Sequence, residues 1–432
     1  MEIYFGVSGM GAVCHTINPR LFPEQIAYIV NHAEDKYIFV DLTFVPLIEA
    51  LKDHLKNVKG FIVMTDQEHM PDSELDNLLC YETLLSGENG DFDWPQFDEM
   101  TACSLCYTSG TTGNPKGVLY ANRSTVLHTL AVNQPDALAL SCRDCILPLA
   151  PMFHVNAWGT PYIVAMVGAK MVLAGAHITP EEILDLMERE GVTHALGVPT
   201  IWAGAHITPE EILDLMEREG VTHALGVPTI WAGVLDMMER HPGRWTLREG
   251  IRFEVGGSAA PADMFRRCDR LGIALKHGWG MTECSPIGAQ VPLSPRYDNL
   301  SDEERLVLRA SNGIAQPLVE ARIVDEVGIV LPWDGMARGE LQVRGPFITD
   351  TYIGVPEPIP ACTDDGWLKT GDIATINQQG YIKIVDRLKD LIKSGGEWIS
   401  SIEMEGALMS HPEIGEAAVI GVPDPKWAER PL

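Results

Sequence analysis

Apolar residues recur along this chain with two alternating periods. Residues 22–33 (FPEQIAYIVNHA) place Ile26, Ile29 and Val30 at helical spacing behind Pro23, a residue suited to a first helical turn. Apolar runs at 37–40 and 60–64 read as strands, with a helix over 45–54 between them. Alternation of this kind predicts an α/β sheet. Residues 103–107 then read as a short buried strand, and 123–132 as a helix. LPLAPMFHVNAWG (147–159) reads as a strand ending in a loop, and FEVGGSAAP (253–261) as a strand running into a glycine turn. A helix over 262–271 and a strand over 273–276 follow. From 313 to 386 the texture changes to short alternating strands, such as ARIVDEVGIVL and GELQVRGP, which predict an antiparallel β subdomain. Beyond 386 come a hairpin-like segment, a helix over 402–410 capped by Ser400 with Glu403, and a strand over 417–422.

Within this pattern the sequence repeats itself. Residues 174–202 (AGAHITPEEILDLMEREGVTHALGVPTIW) recur unchanged at 203–231. Each copy holds a capping box (Thr179 with Glu182, Thr208 with Glu211), an amphipathic helix, a glycine stop and a strand. A solenoid needs about three repeats to bury its faces, so two identical copies indicate a tandem duplication or an error of assembly. A doubly wound sheet has one slot for such a unit. The expectation is that one copy is extruded or forces a rearrangement.

At 432 residues the chain has material for two or three domains, and 46% hydrophobic with 21% charged residues is the composition of a soluble globular protein. The net charge of −28 argues against nucleic acid or an anionic membrane as main partner. An anionic ligand must then be held by local donors. No run of 18 apolar residues and no basic-then-apolar leader occurs, which predicts a cytoplasmic protein without a transmembrane segment. Among nine cysteines, Cys103/Cys106 and Cys142/Cys145 form CxxC pairs, nominally a zinc pattern. The first pair lies in a strand, where positions three apart point to opposite faces, and the second begins another apolar strand. Buried reduced thiols are the better expectation.

The densest chemistry lies at 107–118, YTSGTTGNPKGV. Four hydroxyls (Thr108, Ser109, Thr111, Thr112), three glycines (Gly110, Gly113, Gly117) and Lys116 fall within twelve residues. A glycine-rich loop between strand and helix lets backbone N–H groups approach an anion, and the hydroxyls and lysine add donors. The lysine follows proline and precedes glycine, so this is not a Walker A sequence. His154 and Trp158, at the end of the 147–159 strand, suit a ligand pocket at a sheet edge.

YTSGTTGNPKGV, PMFHVNAWG, VGGSAAP, GWGMTE, GELQVRGP, DGWLKTGD and DRLKDLIKSGGEWIS, in that order, resemble the motif series of the adenylate-forming acyl-CoA synthetases. The likeness is greatest to the medium- and long-chain fatty-acid–CoA ligases and the methylthiopropionate–CoA ligases. The resemblance implies an α/β fold with a large N-terminal domain of stacked sheets (1–310), an antiparallel β subdomain (311–385), and a hinge with a small α+β C-terminal domain (386–432). It implies a two-step reaction: a carboxylate and Mg-ATP give acyl-AMP and pyrophosphate, and coenzyme A then takes the acyl group as a thioester. Substrates would be a fatty acid or other small carboxylate, ATP and CoA, with Mg2+ as metal, and a homodimer is a possible assembly of full-length relatives.

By the same resemblance, Thr108, Ser109, Gly110, Thr111, Thr112, Gly113 and Lys116 match the pyrophosphate loop. Trp279, between Gly278 and Gly280, would stack on adenine, while Thr282 binds the α-phosphate and Glu283 positions Mg2+. Thr108, Lys116, Thr282 and Glu283 would carry the catalysis. Asp372 would hold the ribose hydroxyls with Arg387 in support. His154, Trp158, Gly256, Gly257, Ser258 and Ala259 would line the acyl pocket. Asp386, Arg387, Leu388, Lys389, Asp390 and Leu391 match the hinge, and Gly395, Gly396 and Trp398 the loop facing CoA. The family's adenylation lysine matches no residue of this sequence, its N-terminal region is longer, and the repeat lies between the acyl motif and VGGSAAP. An impaired ligase is therefore the expectation. A chain that only binds nucleotide or acyl-adenylate is the alternative, and the adenylation domain of a peptide-synthesising assembly line ranks last.

Overall fold

The computed structural model describes the chain apart from residues 109–113, 176–178, 198–207, 227, 257–259, 293, 295–296, 298, 355–358, 396, 410, 412–413 and 415–416. An N-terminal unit forms a small parallel sheet of Tyr37–Val40, Gly60–Val63 and Leu78–Cys80. Its core is apolar and includes Ile26, Val30, Val40, Ile48 and Val63. Strand β1 (Cys14–His15) leads into helix α1 (Pro23–His32), whose buried face carries Ile26, Ile29 and Val30 as the spacing predicts.

Strand β2 (Ala102–Tyr107) pairs parallel with β1 and antiparallel with β3 (Gly117–Ala121). The donor-rich loop therefore joins two antiparallel strands, and helix α2 (Asn122–Val132) follows β3. This corrects the expectation of a strand–loop–helix unit. Residues 117–121 alternate buried and exposed side chains, with Val118 and Tyr120 inside and Leu119 outside, the pattern of a strand. Thr351–Tyr352 and Ile359–Pro360, from the stretch assigned to the β subdomain, complete the same sheet.

The largest sheet has eight strands. In chain order these are β4 (Cys145–Pro148), β5 (Lys170–Met171), β6 (His194–Leu196), β7 (His223–Gly226), β8 (Arg252–Val255), β9 (Ala274–Gly280), β10 (Ile287–Gln290) and β11 (Ile314–Ala315). Their spatial order is β11-β10-β9-β8-β7-β6-β4-β5, parallel from β9 to β5. Strand β9 runs past the expected 273–276 to take in His277–Gly280. Strand β11 places residues 314–315 in this sheet, on the far side of the expected boundary at 310.

Both copies of the repeat enter the sheet. Strand β6 belongs to the first and β7 to the second, and equivalent residues lie side by side: His194 with His223, Ala195 with Ala224, Leu196 with Leu225. Neither copy is extruded, which corrects the one-slot expectation. A parallel strand leaves its outer N–H and C=O groups free to template an identical neighbour, and an identical helix brings the same apolar face. The environments nonetheless differ. In the second copy's helix (Pro209–Arg218) Ile212, Leu213, Leu215 and Met216 are all buried, whereas Leu184 and Leu186 of the first copy (Pro180–Glu190) are only partly so.

The doubled histidine creates a buried polar row. His223 Nε2 lies 3.0 Å from Glu254, and the rings of His194 and His223 are 5.7 Å apart. Burial would raise the Glu254 pKa, but Lys276, His223 and Arg252 outweigh it and bring it to about 2. Burial and His223 push His194 down.

Glu320–Val324, Gly339–Arg344, β12 (Leu368–Ile376) and β13 (Ile382–Arg387) form the expected antiparallel sheet over a core of Ile323, Leu341, Val343, Leu368 and Ile376. A last sheet joins Glu397–Ile399, Ile392–Ser394, Ala428–Pro431 and Gly421–Asp424. The hairpin after 386 is present, but the strand expected at 417–422 begins only at Gly421. There Gly421–Asp424 pairs antiparallel with Ala428–Pro431 across a short turn, which fixes its register.

Candidate active site

The β2–β3 hairpin is closed at its base by Thr108, whose N–H donates to the Lys116 carbonyl at 2.9 Å, while the Lys116 N–H reaches Thr108 Oγ1 at 3.3 Å. Gly117 is required here: a Cβ would stand 2.2 Å from Ile353 Cγ2 and 3.1 Å from Tyr107 Cζ. Lys116 Nζ lies 4.8 Å from the Tyr352 ring centroid. The Tyr352 hydroxyl in turn donates to Glu283 Oε1 at 2.7 Å. Cation, aromatic ring and buried carboxylate thus stand in line beside the hairpin. Ser109, Gly110, Thr111, Thr112 and Gly113 lie outside the described residues.

Thr282 and Glu283 sit in one turn of 3-10 helix after β9. The Tyr120 hydroxyl, from β3, donates to the Thr282 carbonyl at 2.8 Å, and Thr349 N–H donates to that of Glu283. These bonds hold the large sheet against the hairpin. Trp279 packs against Gly288, where a Cβ would stand 2.4 Å from its ring, and its Nε1–H donates to Asp372 Oδ2 at 2.7 Å. Arg387 Nε is 3.1 Å from Asp372 Oδ1. Asp372 is buried, and burial raises its pKa, with Glu283 adding to the rise and Trp279 and Arg387 opposing it. The structure therefore brings Trp279, Asp372, Arg387, Thr282, Glu283 and Lys116 into two linked groups drawn from four parts of the chain.

Other expected residues lie apart from these groups. His154 and Trp158 are neighbours with ring centroids 6.4 Å apart, and Trp158 packs against the core shared by Cys103, Cys106 and Val118. Val155, Asn156, Ala157 and Trp158 have φ of 48°, 52°, 49° and 58°, a left-handed turn that costs roughly 1–2 kcal/mol per residue. Buried Asn156 anchors it by donating to Ser104 Oγ at 3.1 Å and accepting from Cys106 Sγ. Beneath this turn is a cavity of about 10 Å3 lined by residues including Tyr120, His128, Asn156 and Tyr162. Among the described residues His128 Nε2 is buried there without a hydrogen-bond partner, and burial lowers the His128 pKa to about 3. Gly256 follows β8, while Gly257, Ser258 and Ala259 lie outside the described residues. Gly278 and Gly280 flank Trp279 within β9.

At the expected hinge, buried Asp386 accepts from the Arg387 N–H and from both the N–H and hydroxyl of Ser401, tying β13 to the helix Ser401–Met409. Leu388 N–H donates to Gly371, Asp390 and Leu391 N–H donate to Arg387, and Leu391 is buried near Trp398. Lys389 is exposed. Gly395, at φ 61°, lies against Trp427, and the Lys393 ammonium lies 5.7 Å from the Trp398 ring. Gly396 lies outside the described residues. Cys103, Cys106 and Cys145 are buried and Cys142 is exposed, all four as free thiols. Sequence reading missed Tyr352 and Asn156. Tyr352 sits in TDTYIG, which carries no motif signal, but Asn156 lies inside the HVNAW stretch already singled out.

The profile of the AMP-binding enzyme family matches residues 1–206 and again 203–353, so the match restarts where the second copy of the repeat begins. That of the AMP-binding enzyme C-terminal domain matches residues 403–432. The 3-methylmercaptopropionyl-CoA ligase of Ruegeria pomeroyi is 46% identical over 434 residues, covering 100% of this chain and 74% of that ligase. The chain belongs to the AMP-binding enzyme family. The long-chain-fatty-acid–CoA ligase of Thermus thermophilus is likewise 46% identical, over 100% of the chain and 73% of its own length. Among solved structures, the anthranilate CoA ligase AuaEII in complex with anthranoyl-AMP superposes with a TM-score of 0.74 at 23% identity, over 99% of this chain and 73% of that one. The likeness supports the same fold: a large N-terminal part followed by a small C-terminal one. Among the described residues, no helix is long and apolar enough to cross a membrane.

Proposed function

We propose that this protein is an ATP-dependent acid–thiol ligase that converts a fatty acid, or a short carboxylate such as 3-methylthiopropionate, to its CoA thioester through acyl-AMP. The observation carrying this reading is the pair of groups Lys116–Tyr352–Glu283, beside the glycine-rich hairpin, and Trp279–Asp372–Arg387, joined to it through the 279–283 segment. Lys116, Thr108 and the hairpin N–H groups are donors for the pyrophosphate leaving group, where charge develops as the carboxylate attacks the α-phosphate. Thr282 adds a hydroxyl toward the α-phosphate. Asp372 accepts both ribose hydroxyls, exchanging its contacts with Trp279 and Arg387 for the nucleotide and freeing the indole to meet adenine. His154, Trp158 and the segment 256–259 receive the acyl group. The stretch 386–391 is the hinge that brings 395–398 to CoA.

Mg2+ fits this donor set. Glu283 offers a buried carboxylate oriented by Tyr352, and a hard cation takes carboxylate and phosphate oxygens together. When bound, Mg2+ neutralises phosphate charge. Mass-spectrometric detection of thioester after incubation with ATP, Mg2+, CoA and carboxylates from propionate to palmitate, with 3-methylthiopropionate, tests the reading. A product with at least one acid is expected, and none with any acid overturns it.

A further inference from the structure

The hairpin that carries Lys116 is gripped from outside the sites described above. Tyr107, the last residue of β2, has its hydroxyl 2.7 Å from His32 Nδ1 at the end of α1. Its ring stands 5.9 Å from His32 at 73° and 5.2 Å from His15 at 38°, so two imidazoles enclose it. Each imidazole is itself held. Tyr28 stacks on His32 at 5.2 Å and 20°, while His15 Nδ1 lies 2.8 Å from Asp35 Oδ2, with both side chains of that pair nearly buried. On the other side the ring abuts Gly117, the first residue of β3. His15 comes from β1, which pairs with β2 at His15–Leu105. Beside the pairing of β1 with β2, the N-terminal unit therefore reaches the last residue of the stem through the Tyr107 phenol.

We propose that His32 and the Asp35–His15 pair, acting through Tyr107, are positioning residues for the phosphate-binding hairpin. This rests on the ligase reading for its consequence, but not for its geometry. A hydrogen bond fixes the phenol at its tip and the two rings fix its plane, so the chain leaves β2 in one direction. Thr108 and Lys116, which close the hairpin one residue beyond, inherit that direction. Release of the phenol leaves the donors in place but lets their spacing vary, and a displacement of about 1 Å is enough to weaken a preorganised site. The effect falls on the ligand's β- and γ-phosphates and not on its nucleoside, which is held by Asp372.

Two readouts on His32→Ala, Tyr107→Phe and the conservative His32→Asn, whose amide can replace Nδ1, test this. Hydrogen exchange over residues 107–118 in the free protein is expected to quicken in His32→Ala and Tyr107→Phe and to recover in His32→Asn. Calorimetry is expected to show affinity for ATP falling about tenfold in the first two, the worth of one hydrogen bond, with AMP affinity unchanged and ATP affinity restored in His32→Asn. Unchanged exchange overturns the proposal. So does an equal loss for ATP and AMP, which marks a merely structural role. Quickened exchange in a protein whose wild type binds no ATP upholds the positioning and overturns the ligase reading instead.

Discussion

Replacing Asp372 with alanine separates binding from stability. In the free protein the carboxylate accepts from the Trp279 indole N–H at 2.7 Å and pairs with Arg387 at 3.1 Å. Removing it strands the half-buried indole N–H, a cost of ~1–3 kcal/mol. The Arg387 side chain is 57% exposed, so its lost partner adds ~1 kcal/mol at most. In the nucleotide complex the same carboxylate receives two ribose hydroxyls, and hydrogen bonds to a charged group are worth ~1.5–3 kcal/mol each. The nucleotide must first displace Trp279 and Arg387, which places the net loss near the lower end, about 100-fold in affinity for AMP. Calorimetry with AMP and 2′,3′-dideoxy-AMP measures it. The wild-type protein should favour AMP by about this factor, and Asp372→Ala should bind the two alike. A variant that still prefers AMP as strongly as wild type, while losing stability, would refute the reasoning and leave Asp372 as an internal partner of Trp279.

Burial raises the Asp372 pKa above its ordinary 3.8, so AMP affinity should decline at a less acidic pH than an ordinary aspartate would give; titration calorimetry between pH 7 and 4 measures this. His128 is held neutral, with its pKa lowered from 6.5 to about 3 by burial. Protonation then favours the unfolded chain: stability is full above about pH 6.5 and falls as pH drops toward 3, by up to ~5 kcal/mol from this group. Urea titrations across that window should flatten in His128→Phe, and an unchanged slope contradicts the assignment. Trp231 is buried, stacks on Phe253 at 4.3 Å and donates to the Glu254 carbonyl. Trp231→Ala should cost ~3–5 kcal/mol in chemical denaturation, and less than ~1 kcal/mol would mean the second copy does not sit beside β8 as described. Deleting residues 203–231 should leave a cooperatively folded chain that still binds AMP, because the remaining copy can pair with both β4 and β8. Aggregation of that deletion would show that the sheet depends on both copies.

The α/β class, the antiparallel subdomain and most strand positions were legible because they rest on local periodicity: the run Ile26, Ile29, Val30, for example, packs as its spacing requires. The motif order likewise named Lys116, Trp279, Thr282, Glu283, Asp372 and Arg387, which the fold brings into two neighbouring groups. What escaped was non-local. Tyr352 meets Glu283 across 69 residues and Tyr107 meets His32 across 75, and no window of sequence contains either pair. The left-handed turn at Val155–Trp158 was hidden because β-branched Val is among the least suited residues for positive φ, and the bonds that hold it, from Asn156 to Ser104 and from Thr160 Oγ1 to the Ala157 carbonyl, are invisible in the sequence. The place of the repeat was not legible because a sheet has no fixed number of slots: identical strands pair in one register, so a second copy fits between the first and β8. The strand within 117–121 was hidden because it opens on Gly117, which has low strand propensity and adds no side chain to the alternation.

The most direct test of the ligase reading is exchange of labelled pyrophosphate into ATP, with and without a carboxylate. Exchange reports reversible formation of acyl-AMP alone and does not need CoA or the second half-reaction. Exchange that requires both the acid and Mg2+, and that falls sharply in Lys116→Ala, is the expected result. A protein that binds ATP yet shows no acid-dependent exchange with any carboxylate from propionate to palmitate, or with 3-methylthiopropionate, would contradict the account at its centre.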